Sequence, residues 1–318
     1  MELSLYFSKL DLSLLKVIQA ISKSSIEIEE CIRYSALKGL HGVHSNEQNS
    51  SGDIQKKLDV ISNDIMINHL TQTKCCSILL SEENDAPIYL QKEYSEKNYV
   101  VAFDPLDGSS NIDCNAPIGT IFSISSHNKE QVLTKGNQIV VAGYVLYGPS
   151  TELLLSVNNT VERFVLSIKK QYIHIGKVLL NGKKKIYSIN EANSSAWNSD
   201  MKAYINNYKI NGTKYTSRYI GSMVGDVHRT LLYGGMFCYP ADKKNPNGKL
   251  RLLYEAYPMA KLLEDAGGKA IVGNNSKQRI LDVILKEIHQ RTPILLGSIE
   301  EVNKYEHVLQ KKIKKYKI

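Results

Sequence analysis

The sequence predicts an α+β fold in which a strand-rich first part is followed by alternating helices and strands. Apolar, partly β-branched runs at about 119–125, 139–147, 152–157 and 162–168 read as a meander in a large mixed or antiparallel sheet. After about residue 180 the pattern changes: helices near 224–233 and 258–266 alternate with strands at 236–239, 269–272 and 293–296. The chain is therefore expected to divide into domains 1–180 and 181–318, each long enough for its own core.

From the amino terminus, Leu14, Val17, Ile18 and Ile21 recur at helical spacing, and Ser24 with Glu27 reads as a capping box opening a second helix through Cys31, Ile32 and Ala36. Residues 42–52, rich in Gly, Ser and Asn, read as a flexible loop. Because Asp53 ends that loop, it is expected to act as a lid over a site. A terminal helix should begin at a Ser298 to Glu301 capping box. His228 has no second histidine at metal spacing and reads as a helix-packing residue.

Composition narrows the class. No apolar run approaches the ~20 residues of a membrane span, and Glu2 without a basic n-region makes a poor signal peptide. The five cysteines are an odd number without metal-like pairing, so a reducing cytoplasm is the expected setting, with Cys75, Cys76 and Cys114 as buried small hydrophobes. The net charge of +8 lies largely in Lys183 to Lys185 and in the tail 311–317. No aromatic platform accompanies it, so no nucleic-acid partner and no membrane are expected.

The chemistry is concentrated in Phe103-Asp104-Pro105-Leu106-Asp107-Gly108-Ser109-Ser110-Asn111-Ile112-Asp113. Tyr99 to Phe103 reads as a buried strand, so Asp104 should emerge at its carboxyl end, where open α/β sheets place ligands. Pro105 is expected to end the strand and turn Asp107 back toward Asp104, while Gly108 permits a tight turn that lets Ser109 and Ser110 face an anion. Alone, the same residues read equally well as an Asx turn with a helix cap. A second apolar run, Cys76 to Ser81, ends in Glu82 and Glu83 and decides between them. Acids delivered from two strand ends raise one another's pKa unless a cation neutralises them. All-oxygen ligation without histidine or thiolate points to Mg²⁺ or Mn²⁺. Asp53 and Asp59, and Glu255 after Arg251-Leu252-Leu253-Tyr254, are further candidates that singly read as surface charges. Lys243, Lys244, Lys249 and Arg251, beside Asn-Pro-Asn-Gly, likewise read singly as a solvated basic turn.

At this point the chain resembles class I fructose-1,6-bisphosphatase, within the lithium-sensitive, magnesium-dependent phosphatase superfamily. The resemblance runs from about Gly52 to the carboxyl terminus and rests on KKLDVISND at 56–64, SEE at 81–83, DPLDGSSNID at 104–113, AGYVLYG at 142–148, KIYSIN at 185–190, RYIGSMVGDVHRTLLYGGMFCYP at 218–240 and NPNGKLRLLYEAYPMA at 245–260. It implies a layered αβαβα sandwich of the sugar phosphatase type, with two mixed sheets between helical layers. Residues 1–180 would then be the equivalent of the AMP-regulatory domain and 181–318 the substrate-binding domain.

The implied activity is Mg²⁺-dependent hydrolysis of the 1-phosphate of D-fructose 1,6-bisphosphate, a step of gluconeogenesis, by a cytoplasmic homotetramer. Glu82, Asp104, Asp107, Glu255 and the Leu106 carbonyl would hold two or three ions, with Asp53 reaching in from its loop, and Glu83 with Asp59 would activate the attacking water. Gly108, Ser109 and Ser110 are implied to bind the 1-phosphate, Asp107 a sugar hydroxyl, Asn190, Tyr219, Tyr239 and Lys249 the sugar and 6-phosphate, and Arg218 a neighbouring subunit's site. Sedoheptulose-1,7-bisphosphatase and inositol-phosphate phosphatase are alternatives, which GSMVGDVHRT and NGKLRLLYE argue against. A catalytically silent sugar-phosphate sensor is the third, and every metal position is filled.

Departures from the family pattern fall at a 6-phosphate position and at the regulatory site. Asn193 stands where animal forms carry tyrosine, as in plant-type forms. Asn98 replaces a lysine and Asn137 an arginine of the AMP site, where Tyr99 alone remains, and no nucleotide-cradling Gly-Thr-Gly-Glu-Leu loop precedes them. AMP is therefore expected to inhibit weakly or not at all, and a submicromolar inhibition constant in a steady-state assay contradicts this.

Overall fold

The computed structural model describes residues 1–40, 44–48, 54–91, 98–126, 135–181, 184–210, 214–273 and 277–315, with the backbone alone in 44–48, 54–56 and 311–315. Asp53, Lys183 and the last residues of the lysine-rich tail lie outside the described residues.

The amino-terminal half contributes α1 (Leu3–Tyr6), α2 (Leu12–Arg33), β1 (His44–Gln48), β2 (Ile54–Lys56), α3 (Lys57–Gln72), β3 (Cys76–Ser81), β4 (Ile88–Tyr89) and β5 (Tyr99–Asp107). The meander follows as β6 (Ile118–Ser126), β7 (Ile139–Tyr147), β8 (Thr151–Val157), β9 (Thr160–Leu166) and β10 (Tyr172–Val178). Next come β11 (Ile186–Ser188), α4 (Ser199–Lys209), β12 (Thr216–Ser217), α5 (Met223–Tyr233), β13 (Met236–Tyr239) and β14 (Leu250–Arg251). The chain closes with α6 (Tyr257–Asp265), β15 (Lys269–Val272), β16 (Arg291–Thr292), β17 (Ile294–Gly297) and α7 (Ile299–Lys315).

Eight strands form one sheet in the order β10-β9-β8-β7-β6-β5-β3-β4, and five form another in the order β12-β11-β13-β17-β15. Both are mixed: β3 and β5 run parallel in the first, as do β11 with β12 and β13 in the second, among antiparallel neighbours.

Strand alternation sets the layers. In β3 and β5, Leu79, Val101 and Phe103 face α2 and α3 through Ile18, Ile21, Leu58 and Met66. Ile78, Leu80, Val100 and Ala102 face the opposite way, into a core shared with Val224 and Val227 of α5, Met259 and Leu263 of α6, and Phe237, Ile294 and Leu296 of the second sheet. The far side of that sheet, through Met236, Cys238 and Leu295, packs on Met201 and Tyr204 of α4 and Val302 and Tyr305 of α7. The result is the five-layer αβαβα sandwich that the resemblance implies. Covering both faces of the central strands explains why they read as continuous apolar runs.

Several local expectations are corrected. Ser24 does not start a helix: α2 is continuous, and the buried Ser24 hydroxyl donates to the Ala20 carbonyl one turn back. Asp11 is the N-cap instead, accepting from the Ser13 and Leu14 amides. The terminal helix begins where expected, but the Ser298 hydroxyl accepts from the Gly235 amide, tying the helix start to β13 rather than closing a capping box. Part of the expected 42–52 loop is strand, since β1 pairs antiparallel with β2. Cys75 and Cys76 are buried, whereas Cys114 is exposed. Strand β10 and helix α4 were not anticipated; β10 carries little apolar alternation beyond Tyr172 and Val178, and the apolar spacing of α4 is diluted by Asn206 and Asn207. No described helix is long and apolar enough to cross a membrane.

His228 is a packing residue. Its Nδ1 lies 2.8 Å from the Tyr144 hydroxyl of β7 and its Nε2 3.8 Å from Glu152 of β8, a carboxylate gripped by Arg163 at 2.5 and 2.7 Å. Burial pushes the imidazole down to about 4, with Arg163 adding to the effect and Glu152 opposing it. Between that value and the unfolded ~6.5 the unfolded chain binds the extra proton, so this contribution is full above the unfolded pKa and is lost as pH falls toward the folded one. Comparing chemical-denaturation stability across pH 4 to 6.5, His228→Gln is expected to flatten the acid loss by no more than about 3 kcal/mol. An unchanged slope contradicts this.

Candidate active site

The parallel pairing of β3 and β5 brings two acidic ends to one edge. Ser81 pairs with Phe103, so Glu82 and Asp104 leave adjacent strands side by side, and the Glu82 amide donates to the Phe103 carbonyl at 3.1 Å. The strand does not stop at Pro105. It runs on to Asp107 because the register shifts between Asp104↔Ile121 and Asp107↔Gly119, leaving one extra residue in β5. A bulge tolerates a proline that a regular ladder would reject, and it aims the next side chain afresh. Asp104 Oδ1 accepts from the Leu106 amide at 2.9 Å inside this bulge, and Leu106 is buried.

Asp107 is then caught by an element that sequence reasoning did not connect to it. Its Oδ2 accepts from the Val224 amide at 2.8 Å and from the Ser222 hydroxyl at 3.2 Å, at the amino terminus of α5. Ser222 also caps that helix, accepting from the Gly225 amide at 3.3 Å. The available signal was the Gly-Ser-Met-Val-Gly-Asp run, a helix start with small residues. Gly108 has φ +78°, and a Cβ there would lie 2.9 Å from Ser222 Cβ, so glycine is required twice over. Beyond it, Ser109 to Asn111 make a single 3₁₀ turn, closed by the Asn111 amide donating to the Gly108 carbonyl at 2.8 Å.

Glu255, at the end of an apolar run, lies in a π-helical turn, Leu252–Ala256, leading into α6. Such wide turns displace a side chain from the regular helical register and recur at functional sites. One oxygen each of Asp104, Asp107 and Glu255 lie within 4.8 Å of one another, and all three residues are buried. Burial raises Asp104 well above the usual carboxylate range, with the charges of Glu82, Asp107, Glu255 and Glu83 adding to it. Glu255 is raised for the same reasons, burial first and then Glu82 and Asp107. Asp107 is pushed up to about 6 by burial, restrained by its bonds from Val224 and Ser222. An oxygen-only set of crowded, buried acids suits a hard divalent cation.

One cation of the chain stands beside the cluster. Arg251 is only 3% exposed, not a solvated basic residue; its Nε lies 3.2 Å from Glu82 Oε1, and its amide donates to Glu255. The turn bearing Glu82 and Glu83 is fastened to α3 by Asn63, whose Oδ1 accepts from Ser81 Oγ at 2.7 Å and whose Nδ2 donates to Asn84 at 3.1 Å. Asn63 lies one helical turn beyond Asp59, which is buried in the first turn of α3. Asn63 too was missed: an asparagine within a helix carries no sequence mark of its partners.

Of the expected substrate residues, Tyr219 and Tyr239 line one small cavity together with Asp107, Gly221 and Leu250. Lys249 precedes Leu250 and is exposed, as is Arg218. The Asn190 side chain accepts from the Ala192 amide at 3.2 Å and caps the 3₁₀ turn Glu191–Ala196, which includes Asn193. At the expected regulatory positions, Asn98 is buried and donates to Gln91, and the Tyr99 hydroxyl donates to Asp11 at 3.4 Å.

A buried acid cluster at the end of a strand in a layered αβαβα fold is what the metal-dependent sugar phosphatases would need, and the comparisons with known proteins agree. Family profiles described as the N-terminal and C-terminal domains of fructose-1-6-bisphosphatase match residues 2–177 and 180–310. The chain belongs to the fructose-1,6-bisphosphatase family. It is 46% identical to fructose-1,6-bisphosphatase class 1 of Sulfurihydrogenibium sp., covering 94% of this chain and 92% of that one. With fructose-1,6-bisphosphatase 1 of Rattus norvegicus the identity is 44%, over 89% of this chain and 80% of the relative. The crystal structure of the Leishmania major enzyme in holo form superposes with a TM-score of 0.91 at 39% identity, over 97% of this chain and 98% of that one.

Proposed function

We propose that the protein hydrolyses the 1-phosphate of D-fructose 1,6-bisphosphate to fructose 6-phosphate and inorganic phosphate, as a Mg²⁺-dependent enzyme of gluconeogenesis. The observation that carries this reading is the convergence of Asp104, Asp107 and Glu255 within 4.8 Å in a chain of this family. Glu82, Asp104, Asp107, Glu255 and the Leu106 carbonyl would hold two or three Mg²⁺, for which Mn²⁺ can substitute. When bound, the ions supply positive charge for the phosphate oxygens and acidify the attacking water.

The chain's own groups do the rest. Glu83 with Asp59 takes the proton of the attacking water, and Asp53, outside the described residues, is assigned to the same site. The turn at Gly108, Ser109 and Ser110 presents amides and hydroxyls to the 1-phosphate, as nests of backbone N–H do for anions. Asp107 has one oxygen held by Ser222 and Val224, which leaves the other for an ion and a sugar hydroxyl. Tyr219 and Tyr239, sharing a cavity with Asp107, would bind the sugar and 6-phosphate, together with Asn190 and Lys249, the latter next to Leu250 of the cavity wall. Arg251 steadies Glu82 as a fixed countercharge. Arg218, exposed on the segment that carries Tyr219, would enter a neighbouring subunit's site in a homotetramer. A cytoplasmic setting accords with the cytosolic designation of the relative from Arabidopsis thaliana, 45% identical over 85% of this chain.

Phosphate release is expected from fructose 1,6-bisphosphate in preference to sedoheptulose 1,7-bisphosphate and inositol 1-phosphate, with Mg²⁺ required and chelator abolishing it. Asp104→Asn should lower kcat at least about 100-fold, as loss of charge stabilisation does. Turnover that survives either chelation or Asp104→Asn contradicts the proposal.

A further inference from the structure

We propose that Asp226, which lies outside the expected binding set, is a positioning residue for the distal, 6-phosphate end of the substrate pocket; this deepens the functional reading above and rests on it. Asp226 sits in the first turn of α5 and is fully buried. Among the described residues, hydrogen bonds to its carboxylate come from the Ile220–Gly221 segment, which borders that cavity, and from Ser188 and Arg229. Its Oδ2 accepts from the Ile220 amide at 3.0 Å and the Gly221 amide at 3.1 Å. Its Oδ1 accepts from Ser188 Oγ at 2.7 Å and from Arg229 Nη2 at 2.7 Å. Arg229 Nη2 in turn donates to the Arg218 carbonyl at 3.1 Å.

One carboxylate therefore ties together the end of β11, two residues before Asn190, and the Arg218 to Gly221 segment that carries Tyr219. Helix capping does not explain it, because Ser222 already fills the N-cap. Otherwise the segment is held at its start, where the Arg218 amide donates to the Tyr187 carbonyl at 3.0 Å; β12 is two residues long, and Gly221 sits at φ +86°. A buried carboxylate is tolerated where charge-assisted donors surround it, and the same donors hold the backbone in one place. Asp226 also forms part of the cavity wall shared by Tyr219, Tyr239 and Asp107. Its hydrogen bonds thus bear on substrate through Tyr219 and Arg218.

An amide in place of the carboxylate would set an N–H group against the Ile220 and Gly221 amides, since Arg229 selects the remaining oxygen. Steady-state kinetics of Asp226→Asn should show KM for fructose 1,6-bisphosphate, and the inhibition constant for fructose 6-phosphate, raised about tenfold, with kcat within about threefold of the wild type, the loss expected for charge-assisted hydrogen bonds that position a binding loop. Ser188→Ala, which removes one donor and leaves the loop bonds, should shift the same two constants by a smaller factor; it decides the matter if Asp226→Asn fails to fold. A loss that falls mainly on kcat, or no change in KM, overturns the proposal. A wild-type protein that cleaves no bisphosphate at all overturns the functional reading and this one with it, whereas normal turnover with an insensitive KM removes this one alone.

Discussion

Burial of neighbouring carboxylates is the constraint around which this molecule is built. Asp104, Asp107 and Glu255 are all buried and approach within 4.8 Å, an arrangement that raises all three above the usual carboxylate range. A fold gains no stability from such crowding, so the surroundings must hold the acids in place against it. Arg251, fixed to Glu82 and donating its amide to Glu255, supplies the chain's own compensation. The remainder is what a hard divalent cation would provide.

Each acid reaches the cluster by a different departure from regular structure. A bulge carries β5 through Pro105, so Asp104 and Asp107 both point inward from a single strand. A π-helical turn delivers Glu255. The amino terminus of α5 fixes one oxygen of Asp107, and the same helix, through Asp226, fixes the segment bearing Tyr219. Helix α5 thereby joins the acid end of the site to the pocket end. His228 and Tyr144 in turn lock it to the large sheet.

The layered architecture was legible in the sequence because strands covered on both faces read as unbroken apolar runs, as in Val100 to Phe103 and Ile294 to Leu296. Acidic strand ends were legible for the same reason: Glu82 and Asp104 terminate such runs, and β3 and β5 are parallel. Cap geometry was less so. Ser24 and Ser298 both precede acidic residues at capping spacing, yet other partners took their hydroxyls. Arg251 looked like a surface charge because its neighbours Lys243, Lys244 and Lys249 are solvated, and burial is a property of position in space rather than of local composition. Ser222, Asn63 and Asp226 escaped notice because their partners are distant in sequence or on backbone amides, which leave no residue signature.

The most direct test of the central claim is anomalous diffraction from crystals grown with Mn²⁺. At least one Mn²⁺ peak is expected among the carboxylates of Asp104, Asp107 and Glu255, lost in Glu255→Gln crystals under the same conditions. Mn²⁺ bound elsewhere on a correctly folded protein, with those three acids bare, would contradict it.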